Sequence, residues 1–262
     1  MNDFEEYEKL EMGFERATSK RSSRPRTKLV KANINTTEGV VIESQRGRYI
    51  ISSQNMCRVT AVKSSRLRNF SIVCGDLVKF KEGEDLARIV EVLPRKSVLV
   101  RTADDTKCIK KTIAANTDYC LILVSTINPK PQEDFIRRCI ISAESGNTCP
   151  ILVITKTDLC SLGTNILQII DEVQVFDSHA DYDRLLKVIE SKTVVLVGLS
   201  GVGKSTLINR IVPNAARKTS EVSKNGDGRH TSTSSCAFYA GTTLIIDTPG
   251  IRSFGLGHLD NK

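Results

Sequence analysis

Between about Glu38 and Arg101 the chain alternates short β-rich runs with polar breaks: Gly39–Ile42, Arg48–Ile51, Cys57–Val62, Asp76–Phe80 and Ala87–Leu93. Five strands in about 60 residues, separated by Gly, Asn and charged turns, predict a small closed barrel of the OB type. Beyond Pro94-Arg95 the pattern changes. Tyr119–Val124, Pro150–Thr155 and Val194–Gly198 read as buried strands, and Glu133–Ser145 and Tyr182–Ile189 as amphipathic helices between them. Such alternation implies a parallel sheet with helices on both faces. No internal repeat is present.

The expected fold class is therefore α/β: an N-terminal OB-fold β-barrel over 36–100, then a nucleotide-binding domain with a mostly parallel sheet over 101–256. Residues 257–262 read as the start of a further region. Residues 1–35 are charge-blocked, with Glu5, Glu6, Glu8, Glu11 and Glu15 ahead of Lys20, Arg21, Arg24, Arg26, Lys28 and Lys31. That composition buries too little apolar surface to offset its ordering entropy, so a flexible tail is expected.

Two motifs then change the picture. Gly198-Leu199-Ser200-Gly201-Val202-Gly203-Lys204-Ser205 follows an apolar strand and opens a helical stretch at Thr206. The glycines allow a turn that aims backbone N–H groups at phosphate oxygens, and the helix N-terminus adds favourable potential. Lys204 would neutralise phosphate charge, Ser205 would ligate Mg²⁺, and Thr206 would lie near the α-phosphate. About forty residues earlier stands Thr155-Lys156-Thr157-Asp158. The Asp158 carboxylate can accept both N1–H and the exocyclic amine of guanine, a pair adenine does not offer, with the Lys156 stem against the base. Thr155 keeps a hydroxyl to brace the loop. In an ordinary GTPase the phosphate loop comes first, so this order predicts a circularly permuted one.

Further elements fit around these two. Leu244-Ile245-Ile246-Asp247-Thr248-Pro249-Gly250 is an apolar strand ending in a DxxG turn, where Asp247 can hold Mg²⁺ through water and the Gly250 amide can meet the γ-phosphate. Gly228-Arg229-His230-Thr231-Ser232-Thr233 occupies the place of a first switch, and Thr231 or Thr233 could complete the metal shell. Residue 251 is Ile, which cannot orient an attacking water. His230 is the candidate for that task. A further base contact is expected from the Ser178 backbone, after the run Val173–Phe176.

Composition narrows the partners. Lys and Arg number 38 against 30 Asp and Glu, a net charge of +8 that favours a polyanionic partner without naming one. Arg46, Arg48, Arg58, Lys63, Arg66 and Arg68 crowd the first half of the barrel segment. The barrel has few aromatics, so electrostatic contact with RNA is expected there rather than base stacking. No apolar run approaches the roughly 20 residues that span a bilayer. The acidic N-terminus lacks a signal-peptide pattern, which points to the cytoplasm. The eight cysteines are scattered without CxxC spacing and read as reduced thiols.

Together these residues resemble the RsgA (YjeQ) family of small ribosomal subunit biogenesis GTPases. The likeness spans about residues 36–260, with the permuted order, the phosphate loop, Gly228–Thr233 and Asp247–Gly255. It implies a late-acting assembly factor that binds the nearly mature small subunit and its rRNA. Slow Mg²⁺-dependent GTP hydrolysis would be accelerated by that subunit and linked to release, with a monomer as the default. The family continues into a helical region with a Cys/His zinc site. No such cluster stands in this sequence, so zinc is not expected in this chain. The readings that remain beside it are a P-loop small-molecule kinase or ATPase, and an RNA-binding clamp with little turnover.

Overall fold

The computed structural model describes residues 36–45, 47–53, 56–104, 107–160, 173–213, 235–249 and 254–256, with the side chains of 103, 104 and 107–109 left aside. Five strands come first: β1 (Thr37–Gln45), β2 (Arg48–Ser53), β3 (Arg58–Lys63), β4 (Leu77–Lys81) and β5 (Ala87–Val92). Their order is β1-β2-β3-β5-β4, and β4 pairs back onto β1, which closes the barrel. Only the β3–β5 contact is parallel. Period-two alternation puts Val41, Ile51, Ala61, Val78, Phe80 and Ile89 inside, where they form one buried cluster.

After the barrel come β6 (Val98–Asp104) and β7 (Lys107–Ala115), a separate antiparallel hairpin that the hydrophobic pattern did not signal. The expected boundary after residue 100 falls inside β6. The break lies instead in the turn at 93–97, because Arg95 there is locked to the barrel. Its guanidinium donates to both carboxylate oxygens of buried Asp76 at 2.8 and 3.0 Å and to the Ser71 carbonyl at 2.6 Å.

The remaining elements are β8 (Tyr119–Ser125), α1 (Glu133–Ser145), β9 (Cys149–Thr155), β10 (Gln174–Asp177), α2 (Tyr182–Ile189), β11 (Thr193–Val197), α3 (Lys204–Ile211), β12 (Cys236–Ala240) and β13 (Thr243–Asp247). Strands β10, β9, β8, β11 and β13 run parallel in that spatial order. Strand β12 pairs antiparallel to β13 and meets barrel strand β1 at Cys236 and Glu43.

The parallel strands are buried on both sides, and alternate residues serve opposite faces. Cys120, Ile122 and Val124 of β8 pack with Phe135, Ile136 and Cys139 of α1, while Leu121 and Leu123 pack with Leu185 of α2 and Leu207 and Ile208 of α3. Each helix contributes one apolar stripe to this core. Among the described residues no helix is long and apolar enough to cross a membrane. The consequence for the site is geometric: the carboxyl ends of β8, β9, β10, β11 and β13 all face the same edge of the sheet.

Candidate functional site

Strand β11 is buried through Val197, and the chain then turns tightly through 198–203 before α3 starts at Lys204. Two glycines have physical reasons here. A Cβ on Gly198 would sit 2.8 Å from the Leu123 carbonyl oxygen, and Gly203 has φ of +101°, a region that disfavours side chains. The Lys204 ammonium curls back over this loop and donates to the Gly198 and Leu199 carbonyls at 2.8 and 3.0 Å. Ser205 and Thr206 are exposed on the first turn of α3, as are Ser200 and Gly201 on the loop, while Val202 is buried and Leu199 half-buried. First-turn amides of a helix have no intrahelical acceptor, so this turn is a built anion seat.

The residues Thr155–Asp158 end β9 directly against that loop. The Thr155 hydroxyl donates to the Val202 carbonyl at 2.6 Å, and its methyl carbon lies 3.7 Å from where a Cβ on Gly203 would be. The Lys156 ammonium donates to the Gly201 carbonyl at 2.9 Å and also to the Asn128 carbonyl. Thr126, on the loop after β8, donates its hydroxyl to the Lys156 carbonyl at 2.7 Å. Asp158 is exposed in the turn that follows, with its carboxylate free of the sheet.

Strand β10 ends beside this turn. The Ser178 amide, expected to face a base, is taken by the Ile154 carbonyl at 2.8 Å as the last rung of the β9–β10 ladder. The amides of His179 and Ala180 donate to one oxygen of Asp177 at 2.7 and 3.0 Å. Burial pushes the Asp177 carboxyl up, but these amides and the Thr157 hydroxyl outweigh it and hold it below the usual carboxylate value. Thr157 thereby joins the Asp158 turn to the β10 loop. Asp177 carries no motif, and nothing in the sequence singled it out.

Asp247 closes the site. It ends β13 opposite Leu196, and the next residue, Thr248, donates its hydroxyl to the Leu196 carbonyl at 2.6 Å. Burial pushes the Asp247 carboxyl up to about 6, against the opposing pull of Lys204. Burial likewise holds the Lys204 ammonium below the usual lysine value, and Asp247 pulls it back up. The two charges therefore face each other across the phosphate loop. One oxygen, Oδ1 of Asp247, is buried without a hydrogen-bond donor. An acceptor-only oxygen left so is suited to a hard cation or its bound water, and with the Ser205 hydroxyl nearby in sequence the donor set fits Mg²⁺. Among the described residues no group of three or more His, Cys, Asp or Glu gathers to hold a metal.

Four expected residues, His230, Thr231, Thr233 and Gly250, lie outside the described residues. The segment after them is anchored: Phe254 is buried edge-on to Phe135 with ring centroids 6.3 Å apart, and the Gly255 carbonyl accepts from the Thr102 amide at 3.0 Å. Sequence reasoning missed Thr126, Asp177 and Arg210, whose parts depend on neighbours remote in the chain.

Comparison with known proteins agrees with this architecture. The sequence model of the RsgA GTPase family matches residues 92–257. The small ribosomal subunit biogenesis GTPase RsgA of Variovorax paradoxus (strain S110) is 33% identical over 237 residues, covering 81% of this chain and 72% of that protein. Its counterpart in Nitrosospira multiformis is 33% identical over 231 residues, covering 84% and 72%. Among solved structures, YjeQ from Thermotoga maritima superimposes with a TM-score of 0.59 at 23% identity, over 82% of this chain and 75% of that one. YloQ, described as a circularly permuted GTPase, gives 0.57 at 21% identity, over 86% and 75%.

Proposed function

Because this chain belongs to the RsgA GTPase family, we propose that it is a GTP hydrolase that binds the small ribosomal subunit and assists its late maturation, with turnover stimulated by that subunit. The observation that carries the nucleotide part is the contact between Thr155 and Lys156 and the loop carbonyls of Val202 and Gly201. Motifs in inverted order along the chain thus share one site, a phosphate cradle braced by a base-reading turn.

In this reading Asp158 accepts the two guanine donors, the Lys156 stem lies along the base, and Ser178 bounds the far side of the base through its loop. Amides from Gly198 to Thr206 surround the phosphates. Lys204 leaves its loop carbonyls for the β- and γ-oxygens, exchanging neutral acceptors for charged ones. Mg²⁺ bound with GTP would neutralise charge building on the phosphates, and Ser205, Asp247 and either Thr231 or Thr233 are the residues that would hold it. No zinc is needed for this chemistry. Gly250 would report the γ-phosphate through its amide, and His230 would orient the attacking water, since Ile251 cannot. The basic barrel face, with Arg48, Arg58, Lys63, Arg66 and Arg68, supplies the electrostatic contact with rRNA. The barrel, 36–100, and the permuted nucleotide-binding part, 101–256, then divide RNA contact from hydrolysis, in a monomer working in the cytoplasm.

The test is GTP and ATP hydrolysis by the purified chain, with and without isolated small subunits and with Lys204→Ala as the blank. GTP-selective turnover raised many-fold by the subunits supports the proposal. Turnover indifferent to the subunits removes the ribosomal part, and a preference for ATP removes the reading of Asp158. Retention of stimulated turnover by His230→Ala would remove the role given to His230.

A further inference from the structure

Arg210 is the last basic residue of α3, six positions beyond Lys204 and so about 9 Å further along the helix. Its guanidinium does two things at once. It donates to the Ser178 carbonyl at 2.8 Å, and its central carbon lies 3.6 Å above the centre of the Tyr182 ring. The Tyr182 hydroxyl in turn donates to the Arg210 carbonyl at 3.1 Å, so side chain and backbone of one residue are both held by α2 and the loop before it. A planar guanidinium stacked on an aromatic face has its donors fixed in direction.

The loop that Arg210 grips is the one beside the Asp158 turn. Thr157, next to Asp158, is hydrogen-bonded to Asp177, and the Ser178 amide is fixed by Ile154. Loop 177–180 is thus tied on one side to the turn that would read guanine and on the other, through Arg210, to the helix whose first turn would hold the phosphates. Without Arg210 the Ser178 carbonyl loses a charged donor and the loop loses its tie to α3.

We infer that Arg210 is a positioning residue for base selection, setting loop 177–180 against the phosphate-binding helix so that the loop distinguishes the O6 carbonyl of a purine from an amino group. The inference rests on the GTPase reading above and adds a residue to it. Asp158 and the loop read different parts of the base. The 2-amino group of guanine, absent from inosine, belongs to Asp158, whereas O6, shared by guanine and inosine and absent from adenine, faces the loop.

Competition binding of GTP, ITP and ATP to the purified chain separates these parts. Arg210→Ala is expected to lower the ITP-over-ATP preference by about five- to tenfold, the effect of one lost charged hydrogen bond, and to leave the GTP-over-ITP ratio within about twofold. Arg210→Lys should recover part of the loss. Tyr182→Ala should mimic Arg210→Ala, and Tyr182→Phe, which keeps the stacking face, should not. Equal weakening toward all three nucleotides is what general loosening would give, and it would overturn the inference, as would unchanged ratios. If the unsubstituted chain shows no guanine preference, the reading of the site itself fails, a result distinct from failure of Arg210 alone.

Discussion

The Thr155 hydroxyl donates to the Val202 carbonyl across 47 residues of chain, at 2.6 Å, so the first residue of the base-reading motif props the crest of the phosphate loop. A second acceptor, the Val124 carbonyl, lies 3.3 Å from the same oxygen. Thr155 is buried, and so is Val202. A buried carbonyl left without its donor is penalised by about 1–3 kcal/mol, and here the penalty falls on loop geometry. Thr155→Val, the same shape without the hydroxyl, is therefore expected to weaken GDP and GTP binding by about tenfold, and Thr155→Ser by less than about threefold. Fluorescent-nucleotide titration checks this. Base preference should survive in both, because Asp158 is untouched.

Asp247 makes nucleotide-free stability depend on pH. Its carboxyl is pushed up to about 6 in the fold, above its ordinary 3.8. Between those values the folded chain holds a proton that the unfolded chain has lost. Stability therefore falls as pH rises from about 4 to 6 and stays at its lower level above that. Asp247→Asn removes the charge, so at neutral pH the nucleotide-free variant should be the more stable by on the order of 2 kcal/mol. Urea unfolding at several pH values reads this directly. With Mg²⁺ and GTP present the order should reverse, since only the carboxylate serves a cation.

The Asp76–Arg95 pair is bidentate and buried, and Arg95 also lies 4.8 Å from the centre of the Phe70 ring. Removing one charge strands the other. Arg95→Met should destabilise the chain by about 3–5 kcal/mol. The double variant Asp76→Asn/Arg95→Met should recover more than half of that loss, because an amide oxygen can still accept from the Val73 amide, 2.8 Å away in the unsubstituted chain. Denaturant titration of the three proteins tests the ordering.

Thiol reactivity should divide the cysteines by burial. Cys74, Cys120 and Cys139 are buried and their thiols are pushed up, chiefly by desolvation, with Cys120 held far above the usual thiol range. Cys236, raised to about 12 by burial and by Asp247, should also be slow. At about pH 7.5 a maleimide should modify exposed Cys57, Cys149 and Cys160 first, and the buried three only after unfolding, as peptide mass spectrometry would show.

Several elements were legible in the sequence because local pattern and tertiary use coincide. Helices Glu133–Ser145 and Tyr182–Ile189 match their expected spans, since each shows one apolar stripe to the sheet. The five barrel strands match within about two residues at most ends. The hairpin β6–β7 and the strand β12 were not signalled. The hairpin finds its support outside its own pattern, with the Ser142 hydroxyl donating to Val100 at 2.6 Å and Gly146 accepting from Val98 at 2.9 Å. Strand β12 sits half-buried between β13 and the barrel, and half-burial weakens alternation.

Motif chemistry survives without a fold, because glycines, a lysine and a hydroxyl residue at fixed spacing can surround a phosphate wherever a strand enters a helix. That is why the phosphate loop, the Asp158 turn, Asp247 and the permuted order could be read from residues alone. What only the tertiary structure decided is which partners those residues meet: Thr155 on Val202, Thr157 on Asp177, Arg210 on Ser178, and an Asp247 oxygen with no donor. Each of these depends on parallel strands that bring distant segments to one edge of a sheet. Hydrogen bonds form over about 3 Å, a distance that spacing along a chain does not encode.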